Sequence, residues 1–332
     1  MMKSTILMSV MASLLILISF LSWPLSAQDR KHETTQEATP FKLSTELVSL
    51  TVTVTDRQGR PITGLRREDF KLYENGVEQP LNFFNPEETS VCWGIVLDHS
   101  TSMTDLMEEV YQAALHIIDH GTAQDEAFIV TFNNRIELAA NFVSDKDQLQ
   151  SSILGLQAGG KTALWDAIDF ALDHLKQAEH RKKVLVVVTD GKDNNSRIKF
   201  RDLIARARQE SVLIYPVGVF ESQEIFRAGM RSYHPTRASD RDPRPNLEKL
   251  AKSTGARARF ATGAEECREA IREIVGEIGH QYSLGYYPNN PKNDGKWRKI
   301  RVVVNQGQGK TSYVTRARAG YYALKAEDTT IP

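Results

Sequence analysis

Two cysteines, Cys92 and Cys267, are all that the 332 residues contain, so at most one disulfide is available to staple the fold. Charge of either sign is not in excess. Forty-two Lys and Arg face 42 Asp and Glu, and that neutrality argues against nucleic acid as the main partner. The eight histidines are scattered. Neither G-x-S-x-G nor H-E-x-x-H occurs, which removes the two commonest sequence signals of a serine or zinc hydrolase.

What is present begins with an export pattern. Lys3 precedes a predominantly apolar stretch from Ile6 to Leu21, and Leu25-Ser26-Ala27 supplies small residues before Gln28. That is the layout of a secretory signal peptide, residues 1–27. The apolar run is at or just below the lower limit for spanning a bilayer, so the alternative is an uncleaved anchor, the chain's one route to a membrane. Either way the chain is expected outside the cytoplasm, secreted, periplasmic or at the cell surface. The residue directly after Ala27 is Gln28 and not cysteine, which argues against a lipid anchor.

Residues 28–40 are polar, end in Pro40 and read as a disordered linker. Residues 41–90 read as all-β. LVSLTVTVTD alternates as a half-buried strand, and DFKLYENG and QPLNFFN read as two more strands about a turn at Glu74-Asn75-Gly76. Residues 91–279 alternate strand and helix. VCWGIVL and KVLVVVTD are continuous apolar runs, as strands covered on both faces require. EAFIVTF and RIELAANF, separated by Asn133-Asn134, form an antiparallel hairpin at a sheet edge. Helical periodicity marks Thr104–His120, 145–154, Leu164–Lys176, Phe200–Glu210, Leu247–Ser253 and Glu265–Ile278. The order predicts an α/β fold with a doubly wound, mostly parallel, Rossmann-like sheet. Residues 280–323 return to three strands, QYSLGYYP, WRKIRVVVN and SYVTRARAGYYA, before a short tail at 324–332. Neither β-half has a credible core alone, so the two are expected to pair into a β-sandwich with the α/β domain inserted between them. In that topology Cys92 and Cys267 stand too far apart to bridge, and both are expected as buried free thiols.

One constellation carries chemistry. The first buried strand ends in Asp98-His99-Ser100-Thr101-Ser102, which sets one carboxylate and two hydroxyls on a single loop. Helix capping by Ser or Thr is the structural alternative there. Thr162 lies in the loop Gly159-Gly160-Lys161-Thr162, and Asp190 follows the strongest buried strand. With strand order 3-2-1-4-5-6 the ends of those two strands meet at the switch point, where such sheets bind ligands.

The set Asp98-x-Ser100-x-Ser102, Thr162 and Asp190 resembles the metal-ion-dependent adhesion site of von Willebrand factor A domains. The flanks, GLRREDFKLYENG before and YSLGYYP, WRKIRVVV and RARAGYYA after, are similar to those of bacterial secreted VWFA-related proteins. The resemblance implies that Asp98, Ser100 and Ser102 approach a metal directly or through water, that Thr162 joins when the site opens, and that Asp190 acts mainly through water. All five positions are intact. Oxygen ligands of this kind suit Mg²⁺, with Mn²⁺ or Ca²⁺ as substitutes. Few direct carboxylates leave positive charge on the ion to attract a carboxylate of a protein partner. That is metal-dependent, adhesive protein–protein binding, without catalysis. The oligomeric state is not legible.

Two other readings compete. One is a structural scaffold with no live metal. The other is an NTPase, because Gly155–Thr162 (GLQAGGKT) matches the phosphate-binding pattern G-x-x-x-x-G-K-[ST]. The residues before Gly155 read as a polar helix rather than the required strand. His99, at a non-ligand position of the loop, is expected to be a packing or surface residue rather than a base. Asp193, Asn194 and Asn195 are expected to form a solvated loop rather than outer support. Residues 221–246, with Arg227, Arg231, Arg237, Arg241 and Arg244, form a charged insertion whose alternative role is to favour an acidic partner.

Overall fold

The apolar run 91–97 becomes the central strand of a six-stranded sheet, buried along its whole length. The computed structural model describes residues 47–86, 90–180, 182–221, 242–290, 292–305 and 313–324. The expected signal segment 1–27, the linker 28–40, most of the tail and most of the Arg-rich insertion lie outside them. Among the described residues no helix is long and apolar enough to cross a membrane.

The strands in chain order are β1 (Val48–Thr55), β2 (Phe70–Glu74), β3 (Val77–Gln79), β4 (Phe83–Asn85), β5 (Val91–Asp98), β6 (Glu126–Phe132), β7 (Ile136–Val143), β8 (Lys182–Thr189), β9 (Val212–Val219), β10 (Arg259–Ala261), β11 (Tyr282–Tyr286), β12 (Trp297–Val304), β13 (Val314–Arg316) and β14 (Gly320–Tyr322). The helices are α1 (Met107–His120), α2 (Lys146–Ser152), α3 (Leu164–Leu175), α4 (Phe200–Ala207), α5 (Arg244–Thr254) and α6 (Ala264–Ile278).

The central sheet runs β10-β9-β8-β5-β6-β7. Five strands are parallel, and β7 is an antiparallel edge. This is the 3-2-1-4-5-6 order expected for a doubly wound sheet, with β5 and β8 side by side at its switch point. Side chains alternate across β5. Trp93, Ile95 and Leu97 pack under α1 and α6, while Cys92 and Val96 pack under α3 and α4. Period-2 alternation thus assigns the two cysteines to opposite faces, since Cys267 of α6 belongs to the first core. Both are buried free thiols.

Two antiparallel sheets, β13-β1-β11-β4 and β14-β12-β2-β3, each combine strands from before and after the α/β segment. Every second residue of β1, from Val48 through Leu50 and Val52 to Val54, turns inward and meets Leu72, Leu284 and Ile300 in one separate core. Asn75 and Gly76 make the expected turn, with φ of 49° and 86° as a tight two-residue hairpin requires.

Several boundaries differ from the sequence expectation. QPLNFFN is not one strand: β3 stops at Gln79, Pro80 has no N–H for the ladder, and Phe83–Asn85 joins the other sheet. SYVTRARAGYYA likewise splits into β13 and β14, one in each sheet. The helix expected from Thr104 begins only at Met107, because a 3-10 turn occupies Thr101–Leu106. α5 starts earlier than expected, at Arg244, with a proline in its first turn.

Candidate metal centre

Asp98 is fully buried at the end of β5. Its Oδ1 accepts the Ser100 N–H at 2.9 Å, and its Oδ2 accepts the Thr189 hydroxyl at 2.6 Å. Burial, and next the charge of Asp190, push the Asp98 carboxyl up to about 7. Asp190, one residue beyond β8, is also fully buried. Two carboxyls are therefore held close together in a low-dielectric crevice, which favours a proton or a cation between them.

The two serines are not used for capping. Ser100 stands at the N-cap of the 3-10 turn but makes no side-chain cap bond. Its Oγ lies instead 3.2 Å from Ser102 Oγ, so both hydroxyls share one spot. Ser100 is buried and Ser102 exposed.

Thr162 is buried and its backbone is clamped from the loop after β8. Its N–H donates to Asn194 Oδ1 at 2.9 Å, and its carbonyl accepts from Asn194 N at 3.0 Å and Asn195 N at 2.9 Å. Asp193 accepts the Leu164 N–H at 3.0 Å and the Ser196 hydroxyl. Burial raises its carboxyl above the usual value. At 193–195 Asn194 and Asn195 are exposed, as a solvated loop requires, and the segment also gives the outer support that was the alternative. These residues use their backbone and side-chain dipoles to hold the Thr162 loop. The same loop is tied to the Asp98 loop by Thr101 N to Gly160 O at 3.1 Å and Gly159 N to His99 O at 2.8 Å.

The structure thus brings Asp98, Ser100, Ser102, Thr162 and Asp190 onto three neighbouring, cross-linked loops at one end of the sheet. Thr189 is the residue that sequence reasoning missed. Its signal was available: it is the last β8 position, on the same sheet face as Leu185 and Val187, and β8 adjoins β5. His99 is turned to the loop beside it, with Nδ1 2.9 Å from Gln157 O. α2, a helix, precedes Gly155, so the strand that a phosphate-binding loop requires is absent there. Of the arginines in 221–246, those at 227, 231, 237 and 241 lie outside the described residues. Arg244 pairs with Asp242 at 2.9 Å.

The donor set fits a hard divalent cation. Among the described residues no cluster of three or more His, Cys, Asp or Glu forms a site for a metal; the side-chain oxygens available here are those of two carboxyls and of hydroxyls. Asp190 Oδ2 is buried without an aligned hydrogen-bond donor. Lys192 Nζ lies 3.0 Å from it, so this buried oxygen has a charge partner but no directional bond, and a divalent cation would satisfy it more fully.

A doubly wound α/β domain carrying an oxygen-rich site at its switch point is the class of protein that fold and site define. More particularly, the chain belongs to the von Willebrand factor type A domain family, whose sequence profile matches residues 94–276. An uncharacterized protein of Borreliella burgdorferi is 30% identical over 104 residues, which make up 30% of each chain. The chain therefore spans 30% of the length of that curated relative. Among solved structures, a von Willebrand factor type A protein from Catenulispora acidiphila aligns with a TM-score of 0.47 at 15% identity, covering 87% of this chain and 76% of that one. The BatB protein of Bacteroides thetaiotaomicron aligns with a TM-score of 0.45 at 18% identity, covering 56% of this chain and 98% of that one. Proximal thread matrix protein 1 from the mussel byssus, solved with a zinc-occupied MIDAS motif, aligns with a TM-score of 0.45 at 16% identity, covering 62% and 49% of the two chains.

Proposed function

We propose that this chain is an exported interaction protein that holds one divalent cation at Asp98, Ser100, Ser102, Thr162 and Asp190 and uses it to grip a carboxylate of a protein partner. The observation that carries the reading is the pair of fully buried carboxyls, Asp98 and Asp190, at adjacent strand ends, with Asp190 Oδ2 lacking an aligned donor. Mg²⁺ suits oxygen ligands that leave room for several waters, and Mn²⁺ or Ca²⁺ can replace it. When bound, the ion supplies a positive centre for a carboxylate.

The chain's own residues do the rest. Thr189 and the Ser100 N–H fix both oxygens of Asp98. Ser100 and Ser102 present their hydroxyls together, and the 193–195 segment holds Thr162 at the rim. Ser102 is exposed, which supports approach of a partner from that side. Residues 1–27, read as an export signal, put the site outside the cytoplasm.

The test is a pull-down from the exported fraction with Mg²⁺ and with chelator, comparing wild type and Asp98→Ala. Partner capture that needs Mg²⁺ and is lost in Asp98→Ala is the expected result. Capture that is indifferent to both favours the scaffold reading and ends this one.

A further inference from the structure

The cation nearest Asp190 Oδ2 belongs to the chain itself. Lys192 donates its backbone N–H to Asp190 Oδ1 at 3.0 Å and brings Nζ to 3.0 Å from Oδ2. Its side chain is 31% exposed while that of Asp190 is 0% exposed. The ammonium therefore reaches inward from the rim. Oδ2 nevertheless has no aligned hydrogen bond, so the contact keeps the charge attraction without the directional part of a charge-assisted bond.

A buried carboxylate needs a counter-charge, and here a monovalent one on a flexible four-carbon stem is at hand. A divalent ion entering the same crevice brings twice the charge to Asp98 and Asp190. It cannot share Oδ2 with an ammonium at 3 Å without strong like-charge repulsion.

We propose that Lys192 is a displaceable internal counter-ion of Asp190, an ammonium latch that a divalent cation must expel, so that this lysine sets the metal affinity of the site. The inference rests on the reading of the site as a metal centre. It has two consequences of opposite sign. The latch stabilises the metal-free protein, and it weakens metal binding by the free energy of the contact that must be broken.

The test uses the full chain as wild type, Lys192→Met and Lys161→Met. Lys161 is an exposed lysine beside Thr162 and controls for a general loss of positive charge near the site. Mn²⁺ and Mg²⁺ binding is measured by calorimetry, and melting temperature in EDTA and in saturating Mn²⁺. Lys192→Met is expected to bind Mn²⁺ roughly five-fold more tightly or better. It should also melt below wild type in EDTA, with the gap closing when Mn²⁺ saturates the site. Lys161→Met should change affinity by less than about two-fold, as isolated exposed charges do. Wild-type affinity in Lys192→Met, or an equal gain in Lys161→Met, overturns the latch while leaving the metal centre intact. Absence of Mn²⁺ uptake by wild type and Lys192→Met alike overturns the metal reading itself.

Discussion

Thr189 Oγ1 donates to Asp98 Oδ2 at 2.6 Å across 91 residues of sequence, and the same oxygen accepts the Gly191 N–H at 2.9 Å. One hydroxyl therefore sets both the orientation of the first carboxyl and the path of the chain just past the second. Outer groups that orient a metal ligand are worth roughly 10–100-fold in metal affinity. Thr189→Val keeps the shape and removes the hydroxyl. Calorimetric titration with Mn²⁺ is expected to give affinity at least about ten-fold weaker, with the far-ultraviolet circular dichroism unchanged. Full affinity in this variant would show that Asp98 is positioned by other means.

How far the sequence spoke for itself depends on which side chains a residue needs. The strand order was legible because short, continuous apolar runs such as 91–97 and 184–188 read as strands covered on both faces, and right-handed crossovers leave few ways to wind them. Asp98 and Asp190 were legible because those strands are neighbours and both acids sit at their carboxyl ends. The work of Asn194 and Asn195 was legible only as an alternative, since two of its three bonds to Thr162 leave from backbone N–H groups that any residue carries and only Asn194 Oδ1 is a side-chain contribution. The split of SYVTRARAGYYA between two sheets was hidden for a related reason. Alternation reports which face a residue takes, not which sheet its strand joins.

Gly160 is fixed by its surroundings as well as its backbone. Its φ is +82°, and a Cβ there would stand 2.2 Å from Asn134 Oδ1 and 3.3 Å from Asn133 Cγ. Gly159, next to it, has nothing within 4 Å. Because Gly160 O accepts from Thr101 N, displacing it loosens the link between the Thr162 loop and the Asp98 loop. Gly160→Ala should cost about 1 kcal/mol or more in stability, measured by urea unfolding, and should weaken Mn²⁺ binding. Gly159→Ala is the matched control and is expected to do neither. Equal behaviour of the two variants would rule out the packing argument.

His174 supplies the pH prediction. The ring is stacked on Phe142 at 4.6 Å with an interplanar angle of 3°, and meets Phe128 edge-on at 4.7 Å. Its Nε2 lies 3.0 Å from Asn141 Oδ1. Burial holds its pKa below the ordinary 6.5. A depressed histidine is neutral when folded, while the unfolded chain takes up the proton as pH falls below 6.5. Its contribution to stability is thus complete above that value and is lost as pH drops toward the folded value. His174→Phe keeps the aromatic contacts and removes the titration. Urea midpoints measured from about pH 8 down to about pH 5 should fall more steeply for wild type than for the variant below about pH 6.5. Parallel curves would mean that other groups carry the acid sensitivity.

Glu277 joins the α/β domain to the β-sheets that flank it. It closes α6, is 7% exposed, and accepts the Tyr215 hydroxyl of β9 at 2.8 Å. Its other oxygen lies 2.6 Å from Arg316 of β13, close in charge though Arg316 has no aligned hydrogen bond there. Gln281 donates both to Tyr215 and to Thr53 of β1, each at 3.0 Å. Removing one partner of a buried pair leaves the other charge uncompensated, which costs about 3–5 kcal/mol. Glu277→Ala is expected to lose that much by urea unfolding. The double variant Glu277→Ala with Arg316→Met should recover part of it, since neither charge then remains buried. Mn²⁺ affinity should stay within about two-fold of wild type in both, because the mutated contacts carry no metal-site oxygen and distant sites add independently. A loss below about 1 kcal/mol in Glu277→Ala would mean that water reaches Arg316 and that the interdomain contact is held by the apolar packing around it.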